Sequence, residues 1–287
     1  MPSLEKVSRA PAIFISHGAG PFPLLNEDHE PWRKIMQGLA HLLENAKGII
    51  LFTAHWETYQ PHVSGCDDAR LFYDYADMEE VKSFIPKEAY TIRYNGRGDS
   101  ALATRISEQL RGVGFEPVID NSRGWDHGVF VPMSILRPSG DIPIVQMSVL
   151  KRDNEHQSTN ANILLGQAVE SFRDEGYVIL GSGATAHNFE EAIKVYLSDD
   201  RNPKVSAENE QFAEFLRLTA SCSDPHRRRE KLSMWREAPG SFIAHAPGSS
   251  EHLMPFMVVA GSGGHDTGKR MNVWELAGEP TAFYVWS

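Results

Sequence analysis

Ile49-Ile50-Leu51-Phe52-Thr53-Ala54-His55 is an apolar run of strand length that ends on a histidine. A second such run, Ala12–Ile15, lies upstream and ends on Ser16-His17. Between the two, Trp32–Leu43 carries helical spacing. Strand, helix, strand is the rhythm of a sheet covered by helices, and it continues downstream. Asp99–Arg111 has helical spacing, opened by an Asp-Ser pair and closed by Gly112 and Gly114. Phe115–Ile119, Ile142–Val149, Tyr177–Leu180 and Ala282–Trp286 read as strands, and Ala161–Arg173, Asn209–Ala220 and His252–Ala260 as helices. Pro61–Tyr75 and Ser198–Ala207 are the loop-rich stretches, and no linker, repeat or low-complexity tract interrupts the series. The expectation is one α/β globular domain over residues 1–287, with a central mostly parallel or mixed sheet and helices on both faces.

Composition limits what such a domain does. The 287 residues are 41% hydrophobic and 23% charged, a balance that suits a soluble globular chain with a substantial core. A formal charge of −10 argues against a nucleic-acid or anionic-membrane partner. The one basic run, Arg227-Arg228-Arg229-Glu230-Lys231, is expected to be a solvated helix face. Cys66 and Cys222 stand far apart without a Cys-x-x-Cys partner and read as reduced thiols. Met1–Pro11 has no apolar stretch of signal-peptide type, and no apolar run is long enough to span a bilayer, so a cytoplasmic protein is expected.

The chemistry concentrates in histidines. His17 and His55 end strands, His127 lies in Gly124-Trp125-Asp126-His127-Gly128, His187 closes Gly181-Ser182-Gly183-Ala184-Thr185-Ala186-His187, and His252 opens an apolar helix beside Glu251. In open α/β sheets ligands bind outside the carboxyl ends of the strands, so such histidines can converge there. Imidazole binds borderline metals and moves protons near neutral pH. For any one of them a hydrogen-bonded structural ring is the competing reading; two strand-end histidines beside turns favour a site. Ser182 lacks the Gly-x-Ser-x-Gly elbow of a serine hydrolase. Asp126 and His127 are neighbours whose side chains point apart on an extended segment, so they need not touch. Trp125 and Phe130–Met133 suit either a pocket wall or a core. His245 reads as a supporting or structural residue, and His29, His41, His62, His156, His226 and His265 as solvated. Arg70, Tyr73 and Tyr75 are equally substrate contacts or ordinary loop residues. By spacing alone, the reading stops at a metal site.

The ordered segments Ser-His-Gly-x-Gly-Pro (to Pro21), Ala-His-Trp-Glu (Ala54–Glu57), Trp-Asp-His-Gly-x-x-x-Pro (Trp125–Pro132), Gly-Ser-Gly-x-x-x-His-Asn (Gly181–Asn188) and Glu-His-x-x-Pro (Glu251–Pro255) cover nearly the whole chain. This set resembles the class III extradiol ring-cleaving dioxygenases, in their DOPA 4,5-dioxygenase-like branch. The resemblance implies an oxidoreductase of aromatic compound metabolism that opens a catechol with O2. It also implies one divalent metal, Fe(2+) or Zn(2+), held by His17, His55 and a ligand from Glu251-His252, taken here as His252. His187 is implied as the catalytic acid/base and as a resting-state fourth metal ligand, and His127 as a catalytic residue that positions substrate or oxygen. Two alternatives stand beside this reading: a zinc-dependent hydrolase using the same pocket to activate water, and a non-enzymatic binding module on the same fold.

Overall fold

Apolar side chains alternate across the central strands, and each half finds its own layer of helices. The computed structural model describes residues 8–77, 82–198, 203–276 and 279–287. Its eight described strands are β1 (Ala12–Ser16), β2 (Gly48–Thr58), β3 (His62–Ser64), β4 (Val118–Asp120), β5 (Ile144–Leu150), β6 (Tyr177–Gly183), β7 (Gly268–Leu276) and β8 (Glu279–Trp286). They form one mixed sheet in the order β4-β3-β5-β2-β6-β1-β8-β7. The neighbours β3 and β4, β5 and β2, β2 and β6, and β6 and β1 run parallel; β8 is antiparallel to β1 and β7, and β3 to β5.

The helices are α1 (Phe22–Leu25), α2 (Glu30–Leu39), α3 (Ser100–Gly112), α4 (His127–Leu136), α5 (Glu155–Val169), α6 (Phe189–Ser198), α7 (Pro203–Ala220), α8 (Pro225–Ser233), α9 (Ser241–Ala244) and α10 (Met254–Ser262). Phe14, Ile50, Phe52, Val145 and Met147 face one layer with α3, α5, α7 and α10. Ile13, Ile15, Ile49, Leu51 and Ile144 face the other, with α2 and α4. Burial on both faces is why these strands read as continuous apolar runs rather than alternating ones.

Several segments differ from the sequence reading for physical reasons. Pro61–Tyr75 contains the short strand β3, and β7 has no counterpart in the reading because its residues 269–273 are exposed and polar or mixed on an edge. Phe130–Met133 belongs to α4, which is buried nearly all round and so shows no amphipathic stripe. The helix expected over Ala161–Arg173 starts earlier, at Glu155, capped by the Asn154 side chain, and gives way to a 3-10 turn after Val169. In Ser198–Ala207 helix α7 begins at Pro203, and residues 199–202 lie outside those described.

Arg228 corrects the expected solvated basic face. It is buried, and its guanidinium donates to the carbonyls of Ala260 (3.0 Å), Cys222 (2.7 Å), Gly264 (2.6 Å) and Asp266 (3.1 Å). His29 is likewise buried, against Trp274 with ring centroids 5.3 Å apart. Burial pushes its pKa down to about 4. Both cysteines are free, and no described helix is long and apolar enough to cross a membrane.

Candidate metal centre

The parallel strands deliver the histidines to one edge of the sheet. His17 follows β1, His55 lies within β2, His187 follows β6, His127 opens α4, and His252 sits in the 3-10 turn Glu251–Leu253 that leads into α10. Their rings meet. Centroids lie 4.8 Å apart for His17 and His55, 5.3 Å for His17 and His252, 5.0 Å for His55 and His252, and 3.9 Å for His55 and His127. His187 stacks parallel on His252 at 3.6 Å. The glycines of β6 make this convergence possible, though not by admitting a ligand. A Cβ on Gly183 would stand 2.2 Å from the His252 carbonyl oxygen, and one on Gly181 2.6 Å from that of Pro255, so the glycines admit the backbone that carries His252.

Four of the five rings, all but His187, have an oxygen beside Nδ1. Ser182 Oγ donates its one proton to the Gly128 carbonyl, so at 2.9 Å from His17 Nδ1 it accepts, fixing the Nδ1–H tautomer of His17. Glu251 Oε1 lies 2.8 Å from His252 Nδ1. Asp74 lies 2.8 and 2.9 Å from His127 Nδ1, accepts the His127 backbone N–H at 2.9 Å, and stands 3.5 Å from His55 Nδ1. The Nε2 atoms of His17 and His55 meet at 3.1 Å. Carboxylates and hydroxyls on Nδ1, with Nε2 lone pairs directed together, are the arrangement that metal-binding histidines use.

Electrostatics sorts the rings. Burial, then the neighbouring histidines, pushes His17 and His55 well below the ordinary value, keeping them neutral as ligation requires. Burial also depresses His187, again reinforced by His252. His127 goes the other way: burial lowers its pKa, but the Asp74 carboxylate outweighs burial and raises it. His187 differs in a second respect, since its Nδ1 is buried with no hydrogen-bond partner while its backbone N–H donates to the Ala244 carbonyl at 2.7 Å. Among the described residues its ring contact is the parallel stack on His252.

Within reach of a single ion the nitrogen and oxygen atoms fall into two groups: His17, His55 and His127, and His187, Glu251 and His252. The buried, neutral, oxygen-backed histidines fit a divalent borderline metal. Glu251 contacts His252 Nδ1 and also offers a ligand atom of its own in the second group, and neither group joins His17 and His55 with His252.

Other expected residues fall outside the reactive centre. Asp126 does not touch the His127 ring; its carboxylate accepts from Thr53 Oγ1 (2.8 Å), Arg123 Nη2 (3.1 Å) and Gln146 Nε2 (2.6 Å). Tyr73 and Tyr75 donate their hydroxyls to the carbonyls of Ile92 and Ala89, both at 2.8 Å, tying down the loop that carries Asp74. Arg70 is exposed. His245 is fully buried with Nε2 3.0 Å from the Thr185 carbonyl, a support for the His187 segment. Ser182 is no nucleophile candidate, because its hydroxyl is engaged on both sides. Sequence reasoning missed Asp74, Thr53, Arg123 and Gln146. Asp74 sits between two tyrosines of an irregular loop, and nothing in its spacing marks it.

Comparison with known proteins agrees with this geometry. Residues 11–285 match the family model described as the catalytic LigB subunit of aromatic ring-opening dioxygenase. The chain is 34% identical to the dioxygenase tasH of Hapsidospora irregularis over 98% of this chain and 86% of that protein. It is 30% identical to the 4,5-DOPA dioxygenase extradiol of Beta vulgaris, over 92% of this chain and 91% of the other. The crystal structure of an uncharacterized Escherichia coli K12 protein, JW3007, shares the fold with a TM-score of 0.74 at 21% identity, covering 97% of this chain and all 100% of that one. With the family match running almost end to end through the sheet and every histidine of the centre, the chain belongs to the family of aromatic ring-opening dioxygenases.

Proposed function

We propose that this chain is, as one catalytic domain, a metal-dependent extradiol dioxygenase that opens a catechol-type ring with O2. The observation that carries the reading is the convergence of the histidines at the strand ends: the Nε2 atoms of His17 and His55 lie 3.1 Å apart, and the His252 ring centroid stands 5.3 and 5.0 Å from theirs. His17, His55 and His252 are the assigned ligands, and a divalent iron or zinc is the assigned metal. When bound, such a metal with open positions supplies the place where a catecholate and O2 meet. The name of the Beta vulgaris relative supports a catechol as the substrate class.

The protein's own residues do the rest. His187, neutral through burial and free of any Nδ1 partner, takes a proton from a catechol hydroxyl and returns it later. Its parallel stack on His252 keeps it beside the ligand set, where it also serves as the resting-state fourth ligand. His127, whose pKa the neighbouring Asp74 carboxylate raises, positions the anionic substrate or oxygen. Trp125, Val129 and Phe130, next to and within the first turn of α4 that carries His127, are fully buried.

The test is anaerobic loading with Fe(II), then a panel of catechols, then oxygen. One O2 consumed per ring, with a yellow ring-opened product, is the expected result. Absence of oxygen uptake across the panel, together with ester or amide hydrolysis by zinc-loaded protein, would replace this reading with a zinc hydrolase.

A further inference from the structure

His55 owes its position to a break in the sheet. Up to Thr53, β2 pairs residue for residue with β5, Thr53 lying opposite Ser148; the next pair is Glu57 opposite Val149, so Ala54, His55 and Trp56 have no partners on β5. A bulge of this kind re-aims a side chain, and it also leaves backbone groups that need other partners.

Here those partners form a closed ring through one carboxylate. The His55 N–H donates to Thr53 Oγ1 at 3.2 Å, and Thr53 Oγ1 donates to Asp126 Oδ1 at 2.8 Å. On the other side, Arg123 Nη2 donates both to the His55 carbonyl at 2.9 Å and to Asp126 Oδ2 at 3.1 Å. Gln146 Nε2 adds a further donor to Asp126 Oδ2 at 2.6 Å. Arg123 is itself confined between the rings of Phe72 and Trp56, 4.8 and 5.2 Å from its guanidinium carbon. Asp126 is fully buried and stands at the N-cap position of α4, yet its side chain caps nothing there. A carboxylate at a helix start that forgoes capping and gathers three side-chain donors has another task.

We infer that Asp126 is a positioning residue that clamps the β2 bulge through Thr53 and Arg123 and thereby holds His55 at the metal centre. The clamp acts on the histidine's backbone, and so complements the contact of Asp74 with its ring. Because Asp126 immediately precedes His127, the same carboxylate also fixes where α4 begins relative to His55. The inference rests on the proposed role of His55 as a ligand.

The test measures zinc affinity by chelator competition and the visible spectrum of the Co(II)-substituted protein, alongside thermal melting of the metal-free form. Asp126→Asn keeps the shape but presents N–H donors to donors, and Thr53→Val removes the relay at constant volume. Each should weaken zinc binding about 10–100-fold and shift the Co(II) bands, as changes behind a ligand do. Because both act through one ring, the double variant should lose no more than Asp126→Asn alone. His55→Ala is the control for the ligand assignment. If His55→Ala abolishes zinc binding while Asp126→Asn and Thr53→Val stay within twofold of wild type with unchanged spectra, the clamp is overturned and the ligand assignment survives. If His55→Ala binds zinc as wild type does, the ligand assignment falls and the clamp with it. Should Asp126→Asn not fold, Thr53→Val decides by the same two readouts.

Discussion

Gly128 is where the supports of two metal-site histidines cross, and a single methyl there tests that crossing. Its carbonyl accepts from Ser182, which orients His17, and its α-carbon lies against the residues that hold His55. A Cβ at this position would stand 2.6 Å from Thr53 Oγ1, 3.1 Å from Asp126 Oδ1 and 3.2 Å from His55 Cδ2. None of these is the loose end of a flexible chain: Thr53 and Asp126 are fully buried and hydrogen-bonded to each other. Relief must therefore come from moving them, at an overpacking cost of about 1–3 kcal/mol. For a chain of this length that corresponds to a fall in Tm of roughly 2–6 °C. Displacing His55 should also weaken zinc affinity about 10–100-fold, the usual effect of disturbing what stands behind a ligand. The matched control is Gly38→Ala in α2, where a Cβ meets nothing within 4 Å. Gly38 is exposed in the last turn of α2, where that same methyl should be neutral or stabilise by up to about 0.5–1 kcal/mol. Melting curves and chelator competition on both variants give the comparison. A Gly128→Ala protein that melts and binds zinc like wild type would refute the packing argument.

How much of this was legible in the sequence depends on the range of the interaction. Ile49–Thr53, Ala12–Ile15 and Tyr177–Leu180 announce themselves because central strands buried on both faces must be apolar throughout. β7 was silent, since an edge strand with exposed Arg270, Met271 and Asn272 carries no such constraint. The candidate site divides in the same way. Its histidines stand out because strand ends and glycine-rich turns are visible in one dimension. Their partners are not, because the interactions join residues remote in sequence: His17 with Ser182, His127 with Asp74, and Thr53 with Asp126. Nothing in the spacing of Asp74 or Gln146 separates them from surface polar residues. Asp126 and His127, adjacent in sequence and expected to point apart, do so: one bonds Thr53 and the other Asp74. Arg228 shows the same blindness, as a basic run looks solvated until helix α8 turns one of its arginines onto the carbonyls behind α10.

The remaining predictions concern ligand choice, proton transfer and a buried acid. His252→Ala should lose most bound metal, whereas Glu251→Gln should keep it with about 10–100-fold lower affinity; full occupancy in His252→Ala would transfer the ligand role elsewhere. His187→Gln should retain metal and bind catechol while turnover falls about 10²–10⁴-fold, and turnover within a few-fold of wild type would remove this ring from proton transfer. Glu279 lies behind the His187 segment, accepting the Asn188 N–H at 2.5 Å, and burial pushes its pKa from 4.5 up to about 7. Between those two values the folded chain holds a proton that the unfolded chain has released. Stability therefore falls as pH rises through this window, and the loss is complete above about pH 7. Raising a carboxyl from 4.5 to about 7 corresponds to about 3 kcal/mol. Glu279→Gln keeps an oxygen for Asn188 but cannot ionise, so its Tm relative to wild type should climb by roughly 6 °C between pH 4.5 and pH 8. Any constant cost of the new amide cancels in that difference. A gap that stays the same across the window would mean that Glu279 ionises in the folded protein as freely as in water.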